Sequence, residues 1–249
     1  MRASTKDIES EVAHRPWPLP RTPWIMFQSW QRLLFAHWPV PAAELRRVVP
    51  PELTIDEFDG SAWVGLTPFV LRDLRLRCLP PIPGASDFPE MNLRTYVRVG
   101  DLPGIFFFSL DAGSRLAVRG ARTFYRLPYR DAHMEVRSAN GRISYRSRRP
   151  DGSAEVAVRY EPVGDTFQAA RGSLEHFLTE RYALYVVLKN RSVIRGDIHH
   201  RPWDLQRAEA ELSRNTVAET EGIRLPDIPP LLHYSARQDT LVWAPRLIG

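Results

Sequence analysis

The residues with the most chemical potential in this 249-residue chain sit on short alternating stretches. Asn92, Arg94 and Tyr96 are spaced two apart. In a strand, residues two apart share a face. Facing an interior, these three would make a polar, anion-binding wall. The competing reading is an outward polar face that carries Arg98 as well. Ser109 and Asp111 also share a direction, at the end of the phenylalanine-rich run Gly104 to Asp111. A buried carboxylate needs a partner, and arginine is the usual one. Asp111 therefore either orients an arginine at a cavity or opens the turn Asp111-Ala112-Gly113.

The histidines and the cysteine offer less. His199 and His200 are adjacent, so on a strand they face opposite ways and do not readily share a metal. Capping a local carbonyl is the plainer role for one of them, and which of the two faces a cavity stays open. His37, between Ala36 and Trp38, reads as a core histidine rather than a base. Cys78 adjoins Arg77 without an identifiable base and reads as a lone buried thiol. There is no Cys/His zinc spacing, GxSxG, P-loop, HExxH or dinucleotide fingerprint, so neither a metal nor a cofactor is expected.

The elements that must carry these residues are mostly strands. Glycine-containing turn dipeptides stand at Asp59-Gly60 and Asn140-Gly141, the second between Met134–Ser138 and Arg142–Arg148. Gly104 to Asp111 is apolar on both faces, as a central strand is. Further strand candidates are Glu155–Tyr160, Leu184–Leu188, Val193–His199, Leu205–Leu212, Leu231–Ala236 and Thr240–Trp243. Trp24 to Trp38 has a 3–4 apolar spacing that suits either a short helix or a buried extended segment. Helices are expected over Ser114–Phe124 and, behind the N-cap Ser173, over Leu174–Tyr182. The prolines at 16, 18, 20 and 23 point to an extended N-terminal arm over residues 1–23. One domain, residues 24–249, follows. The fold class is mainly β (α+β), an antiparallel barrel or sandwich with helical decoration.

Composition narrows the partners. The formal charge is +5, and the basic residues divide into 32 arginines and two lysines, Lys6 and Lys189. The arginines are dispersed. Their densest cluster, Arg142, Arg146, Arg148 and Arg149 with Arg137, reads as a hairpin with one solvated face. Without a helix-turn-helix, zinc finger or aromatic RNP pattern, no nucleic acid is expected. The longest apolar stretches are too short to span a membrane, and the polar first fifteen residues lack a signal-peptide core. A cytoplasmic location is the expectation.

Several strings are familiar together: Trp30 to Trp38, Phe88 to Val97, Phe106 to Ala112, Leu127 to Tyr129, Phe177 to Tyr182 and His199 to Trp203. In this order, from about Trp24 to Ala244, they resemble the uncharacterised bacterial YqjF-like family, domain of unknown function 2071. That family resembles the acetoacetate decarboxylase-like superfamily. The resemblance implies a closed β-barrel with short helices, an internal small-molecule cavity and oligomers. Acetoacetate decarboxylases carry Gly-Arg-Glu-x-x-Gly-x-Pro-Lys-Lys where this chain has Ala121 to Arg130. Arg122 and Pro128 match, but the lysines become Tyr129 and Arg130. One of those lysines forms a Schiff base, helped by its cationic neighbour. A guanidinium stays protonated and a phenol forms no imine, so that chemistry is expected to be absent.

Three readings follow. The first is a barrel that binds a small anionic or carbonyl-bearing molecule, lined by Arg94, Tyr96, Arg122, Tyr129, Arg130 and His199. The second is an enzyme without a Schiff base, a hydrolase or lyase that polarises a carbonyl through Tyr129 and Arg122. Glu90, Asp111 or His199 near Tyr129 would be its base. The third is a homo-oligomeric assembly role, with Trp17, Trp24 and the arm packed on a neighbouring subunit.

Overall fold

The computed structural model describes residues 4–248, the side chains of 121–124 excepted. Its elements run α1 (Thr5–Ser10), β1 (Met26–Val40), α2 (Ala42–Leu45), β2 (Thr54–Ile55), β3 (Ala62–Leu76), β4 (Phe88–Val99), β5 (Leu102–Ala112), α3 (Arg115–Phe124), β6 (Tyr129–Asp131), β7 (His133–Ala139), β8 (Arg142–Arg148), β9 (Glu155–Phe167), α4 (Leu174–Thr179), β10 (Ala183–Val187), β11 (Val193–His200), β12 (Leu205–Asn215), α5 (Val217–Thr220), β13 (Leu231–Val242) and β14 (Arg246–Ile248).

Seven strands close a ring in the order β11-β10-β5-β4-β3-β1-β13. The last step is the pairing of β13 back onto β11, Ile198 opposite Val242 and His200 opposite Thr240. Closure removes the edges that an open sheet would expose. The ring is not wholly antiparallel as expected: β5 and β10 run parallel, with Leu184 opposite Ile105. Many residues and several elements separate these two strands, which is what a parallel neighbour requires. The first part of β13 pairs with β12 instead, and β12-β9-β8-β7 continues as an antiparallel sheet. That sheet lays Tyr145, Val156, Val158 and Tyr160 on Leu34, Val64, Met91 and Leu93 of the ring.

Local chemistry explains several elements. The turn at Asn140-Gly141 has φ of 51° and 79°, and Ala139 faces Arg142 across it. Positive φ at both central residues is what a two-residue type I′ hairpin needs, and Asn and Gly supply it cheaply. Ser173 caps α4 by accepting from the His176 N–H. The stretch Trp24 to Trp38 resolves as strand from Met26 onward. Its helix-like Trp30-to-Leu33 step is a bulge at Arg32, φ 54°, and both residues pack in one cluster with Phe35. One extra residue converts the strand period of two into an apparent three.

The N-terminal arm departs from the extended, irregular reading. Ser4 and Asp7 form a capping box that starts α1, and Ile8 is buried against Trp24, Phe27, Leu241 and Trp243. The Arg15 guanidinium lies 4.7 Å over the Tyr182 ring and donates to the Ile198 carbonyl, 2.7 Å. Trp17 sits edge-on to Tyr182, and Trp24 is buried. These aromatic residues thus pack on their own chain. Cys78 is exposed rather than buried, at a turn with φ 63°.

Candidate functional site

Directly opposed residues of an antiparallel pair point to the same side. Phe69, Thr67 and Gly65 of β3 face Glu90, Asn92 and Arg94 of β4, and Ala112 and Leu110 of β5 face Glu90 and Asn92. This side of the strands is the inside of the ring. Leu110, Val186, Ile198, Val242 and Met26 come from β5, β10, β11, β13 and β1, yet they meet in one cluster with Tyr129. The stripe Glu90, Asn92, Arg94, Tyr96 therefore points inward. Arg98, at the strand's end, is only half-buried.

At one end of the stripe stands a carboxyl–phenol pair. The three-residue β6 runs beside β5 and sets Tyr129 opposite Leu110, hence inward. The Tyr129 hydroxyl donates to Glu90 at 3.2 and 3.3 Å from its two oxygens. Glu90 is 4% exposed and has no basic partner among the described residues. Burial pushes its carboxyl up to about 8, against the pull of the Tyr129 hydrogen bond. Burial, and then the Glu90 charge, raises the Tyr129 phenol well above its usual range. At neutral pH the pair is a mostly protonated carboxyl beside a neutral phenol.

At the other end stands a cation. Arg94 is 8% exposed. Its Nη2 donates to the Leu178 carbonyl at 3.2 Å and to the Tyr96 hydroxyl at 3.5 Å, and its guanidinium lies 5.3 Å from the Phe35 ring centre. No carboxylate pairs with it among the described residues, and its Nε has no hydrogen-bond partner. Its neighbour Arg181, by contrast, pairs with Asp56 at 2.7 Å. The Tyr96 hydroxyl also meets His37 Nε2 at 2.7 Å. Burial, then the Arg94 charge, holds His37 well below its usual range, so the ring is neutral. His37 Nδ1, His233 Nδ1 and Ser235 Oγ are likewise buried without partners. His233 and Ser235 face Phe35 and Leu33 across β1–β13, on the Arg94 side. Buried polar atoms are ordinarily satisfied, and these unpaired atoms gather at the Arg94 end of the stripe. Between the two ends, Asn92 Oδ1 accepts from the Thr67 hydroxyl.

Gly65 makes the cationic end fit. A Cβ there would lie 2.9 Å from His37 Cδ2 and 3.5 Å from Arg94 Cγ. Gly65→Ala is expected to cost about 1–3 kcal/mol by forcing His37 out of place, read as a lowered urea midpoint. An unchanged midpoint would show that His37 yields freely.

The remaining candidates lie elsewhere. Asp111 faces the other way, opposite Met91. It does orient an arginine, Arg149, which donates through Nε and Nη2 at 2.9–3.1 Å and also reaches Glu221 at 3.0 Å. Arg149 was read as part of a solvated hairpin face, yet it is 4% exposed. Counting by two from Ile143 through Tyr145 and Ser147, all buried, lands on Arg149, and that period was the signal for it. Arg130 is exposed beside Asp111 rather than on a cavity. His199 faces the arm: its Nε2 meets the Ile8 carbonyl at 2.7 Å and its Nδ1 meets Arg15 at 3.2 Å. Burial pushes it down to about 3. His200 points the opposite way, opposite Thr240, stacked on Tyr182 and bonded to Gln238 at 3.2 Å. Arg122 lies in α3, its side chain outside the described residues. Lys6 and Lys189 are both exposed. A groove of about 170 Å³ runs along Phe88, Pro89, Val70 and Arg32 beside the Glu90 end.

Comparison with known proteins is consistent with this layout. Residues 27–239 match the DUF2071 family, described as an uncharacterized conserved protein. The uncharacterized protein YqjF of Bacillus subtilis (strain 168) is 52% identical over 221 residues, which are 88% of this chain and 91% of YqjF. Among solved structures, the enduracididine biosynthesis enzyme MppR complexed with pyruvate superposes with a TM-score of 0.65. Its identity is 11%, over 94% of this chain and 93% of that one. Acetoacetate decarboxylase from Legionella pneumophila superposes with a TM-score of 0.62. Its identity is 14%, over 100% and 98% of the two chains.

Proposed function

This chain belongs to the DUF2071 family and has an acetoacetate decarboxylase-like fold, and from that premise we propose that the ring binds a small carbonyl-bearing carboxylate, anchored by Arg94, without Schiff-base chemistry. One observation carries the reading: among the described residues Arg94 is a buried guanidinium without a carboxylate partner, and its Nε is unpaired. Leaving a charge buried and unpaired is costly, and a ligand carboxylate offers the missing counter-charge in a two-point, charge-assisted contact. The neutral Glu90–Tyr129 pair does not repel such a ligand and presents hydrogen-bonding groups to its carbonyl. MppR, a protein of this fold, is known in complex with pyruvate, which makes pyruvate a reasonable probe.

The imine-forming route is unsupported because both lysines are exposed and a phenol occupies position 129. The test pairs calorimetry with trapping. Pyruvate and acetoacetate are titrated into the wild type and Arg94→Met, and pyruvate is then treated with borohydride and the protein weighed. Binding is expected to fall at least about tenfold in Arg94→Met, the loss of one charge-assisted contact, and the borohydride-treated mass should be unmodified. Binding that ignores Arg94→Met would sink the anchor. A reduced covalent adduct would sink the claim about chemistry.

A further inference from the structure

We infer that the loop from Leu76 to Ile82 and the neighbouring face of α3 dock this protein on an anionic lipid surface. The inference is independent of the compound bound in the ring. Seven large apolar side chains are exposed among the described residues, and four of them sit on this loop and this helix: Leu76 at 47%, Leu79 at 55%, Ile82 at 53% and Leu116 at 61%. Scattered exposed leucines are ordinary, but a group of them marks a surface that meets something apolar.

The loop is built to stand out. It joins β3 to β4, and all of residues 76–84 are exposed. Its base is pinned. The Arg77 N–H donates to the Ile25 carbonyl at 2.8 Å. The Ser86 hydroxyl accepts from the Ile82 N–H at 2.6 Å and donates to the Leu74 carbonyl. Pro80, Pro81 and Pro83 fix φ along the outer part, so holding Leu79 and Ile82 against another surface costs little chain entropy. Ser114 ties the helix to the loop. Its hydroxyl donates to the Gly84 carbonyl at 3.2 Å, and α3 begins at the next residue. Val118 of α3 is buried, while Arg115, Leu116 and Arg119 are exposed.

The charge around these apolar tips has one sign. Between Asp73 and Asp87 the chain carries Arg75 and Arg77 and no acid. Between Asp111 and Asp131 it carries Arg115, Arg119, Arg122, Arg126 and Arg130 and no acid. Asp73 and Asp87 stay at the base of the loop, each 4.0 Å from an arginine, Arg75 and Arg72. Aliphatic tips bordered by arginines match the two attractions of an anionic bilayer, its acyl chains and its headgroup charge. A strand from a protein partner fits less well, because three prolines withdraw the N–H groups it would pair with. The contact lies on the bilayer and needs no spanning helix, of which the described residues hold none.

Vesicle flotation tests this with the full-length protein. Vesicles of phosphatidylcholine alone are compared with vesicles of phosphatidylcholine and phosphatidylglycerol in a two-to-one ratio. The wild type should bind the anionic vesicles at least about tenfold more tightly. Binding should weaken when salt is raised from about 0.1 to 1 M, which shortens the Debye length from about 10 to 3 Å. Leu79→Ser/Ile82→Ser and, separately, Arg115→Gln/Arg119→Gln should each weaken it at least about tenfold. Arg146→Gln/Arg159→Gln removes the same charge from exposed positions of β8 and β9 and should bind like the wild type. Thermal melting checks that each variant is folded. No preference for the anionic vesicles would overturn the inference. An equal loss in the β8–β9 variant would reduce the attraction to net charge and overturn the docking face. Self-association that Leu79→Ser/Ile82→Ser abolishes, without vesicle binding, would make this face a contact between copies of the chain and overturn it too.

Discussion

Asp111→Ala is expected to cost about 3 kcal/mol of folding stability, and for a chain of this size to lower Tm by about 6–12 °C. Asp111 is 1% exposed and takes three hydrogen bonds from Arg149, which is 4% exposed. Burial raises the Asp111 carboxyl, and the Arg149 hydrogen bonds and charge work against that rise. Removing one member of a sealed pair leaves the other charged and dry, and that penalty dominates. The figure is at the low end because Arg149 keeps Glu221 at 3.0 Å. Arg149→Met should cost at least as much near neutral pH, since it leaves two carboxyls together, one of them buried. The double variant Asp111→Leu/Arg149→Met should lose less than the sum of the singles, because a buried pair exchanged for apolar side chains is often neutral. Urea denaturation of the three variants gives the coupling. Single-variant losses below about 0.5 kcal/mol, the range of ordinary surface changes, would show that the pair adds little.

Glu90→Gln is expected to act in the opposite direction, stabilising the protein by about 3 kcal/mol at pH 7. The folded carboxyl is near about 8 against 4.5 for the free side chain. The folded state therefore holds its proton while the unfolded chain releases it. For an acid raised in this way, stability is greatest below 4.5, falls as pH rises from 4.5 to about 8, and is flat beyond. Each unit in that window corresponds to about 1.4 kcal/mol, so 2.5 units at pH 7 give the figure stated. The groups that face this carboxyl are Tyr129, which donates to it, and Tyr145, whose hydroxyl bonds the main chain beside it. Glutamine keeps an acceptor for Tyr129 and removes the titration. Urea midpoints of wild type and variant at several pH values from 4.5 to 8 should diverge as pH rises. Parallel profiles would show that Glu90 ionises freely in the folded state.

Much of the fold was legible because its signals are local. Asn140-Gly141 forms a hairpin because of what two residues do at positive φ, and Ser173 caps because its own oxygen reaches three residues ahead. The stripe at 92, 94 and 96 could be read as one face, and Glu90 continues it. Of the three bases considered beside Tyr129, Glu90 is hydrogen-bonded to it, while Asp111 and His199 face away. The misreadings share a cause. Arg149 looked like one more solvated arginine because its partner is 38 residues away in sequence. His199 looked like a cavity residue because nothing local shows that the arm returns over it. Trp30 and Leu33 looked helical because a bulge imitates a turn.

The sequence alone therefore determined what chemistry the chain can carry. It has two lysines, Lys6 and Lys189, and a polar stripe with two-residue spacing. The tertiary structure decided which face of that stripe is enclosed, which arginine is paired and which is not. Backbone preference is settled within a few neighbouring residues. Enclosure and ion pairing depend instead on strands that meet only when β13 closes on β11. Arg94 and Arg149 are the same residue type. The contacts made by that closure and by the sheet packed over it pair one of them with Asp111 and leave the other without a carboxylate partner among the described residues.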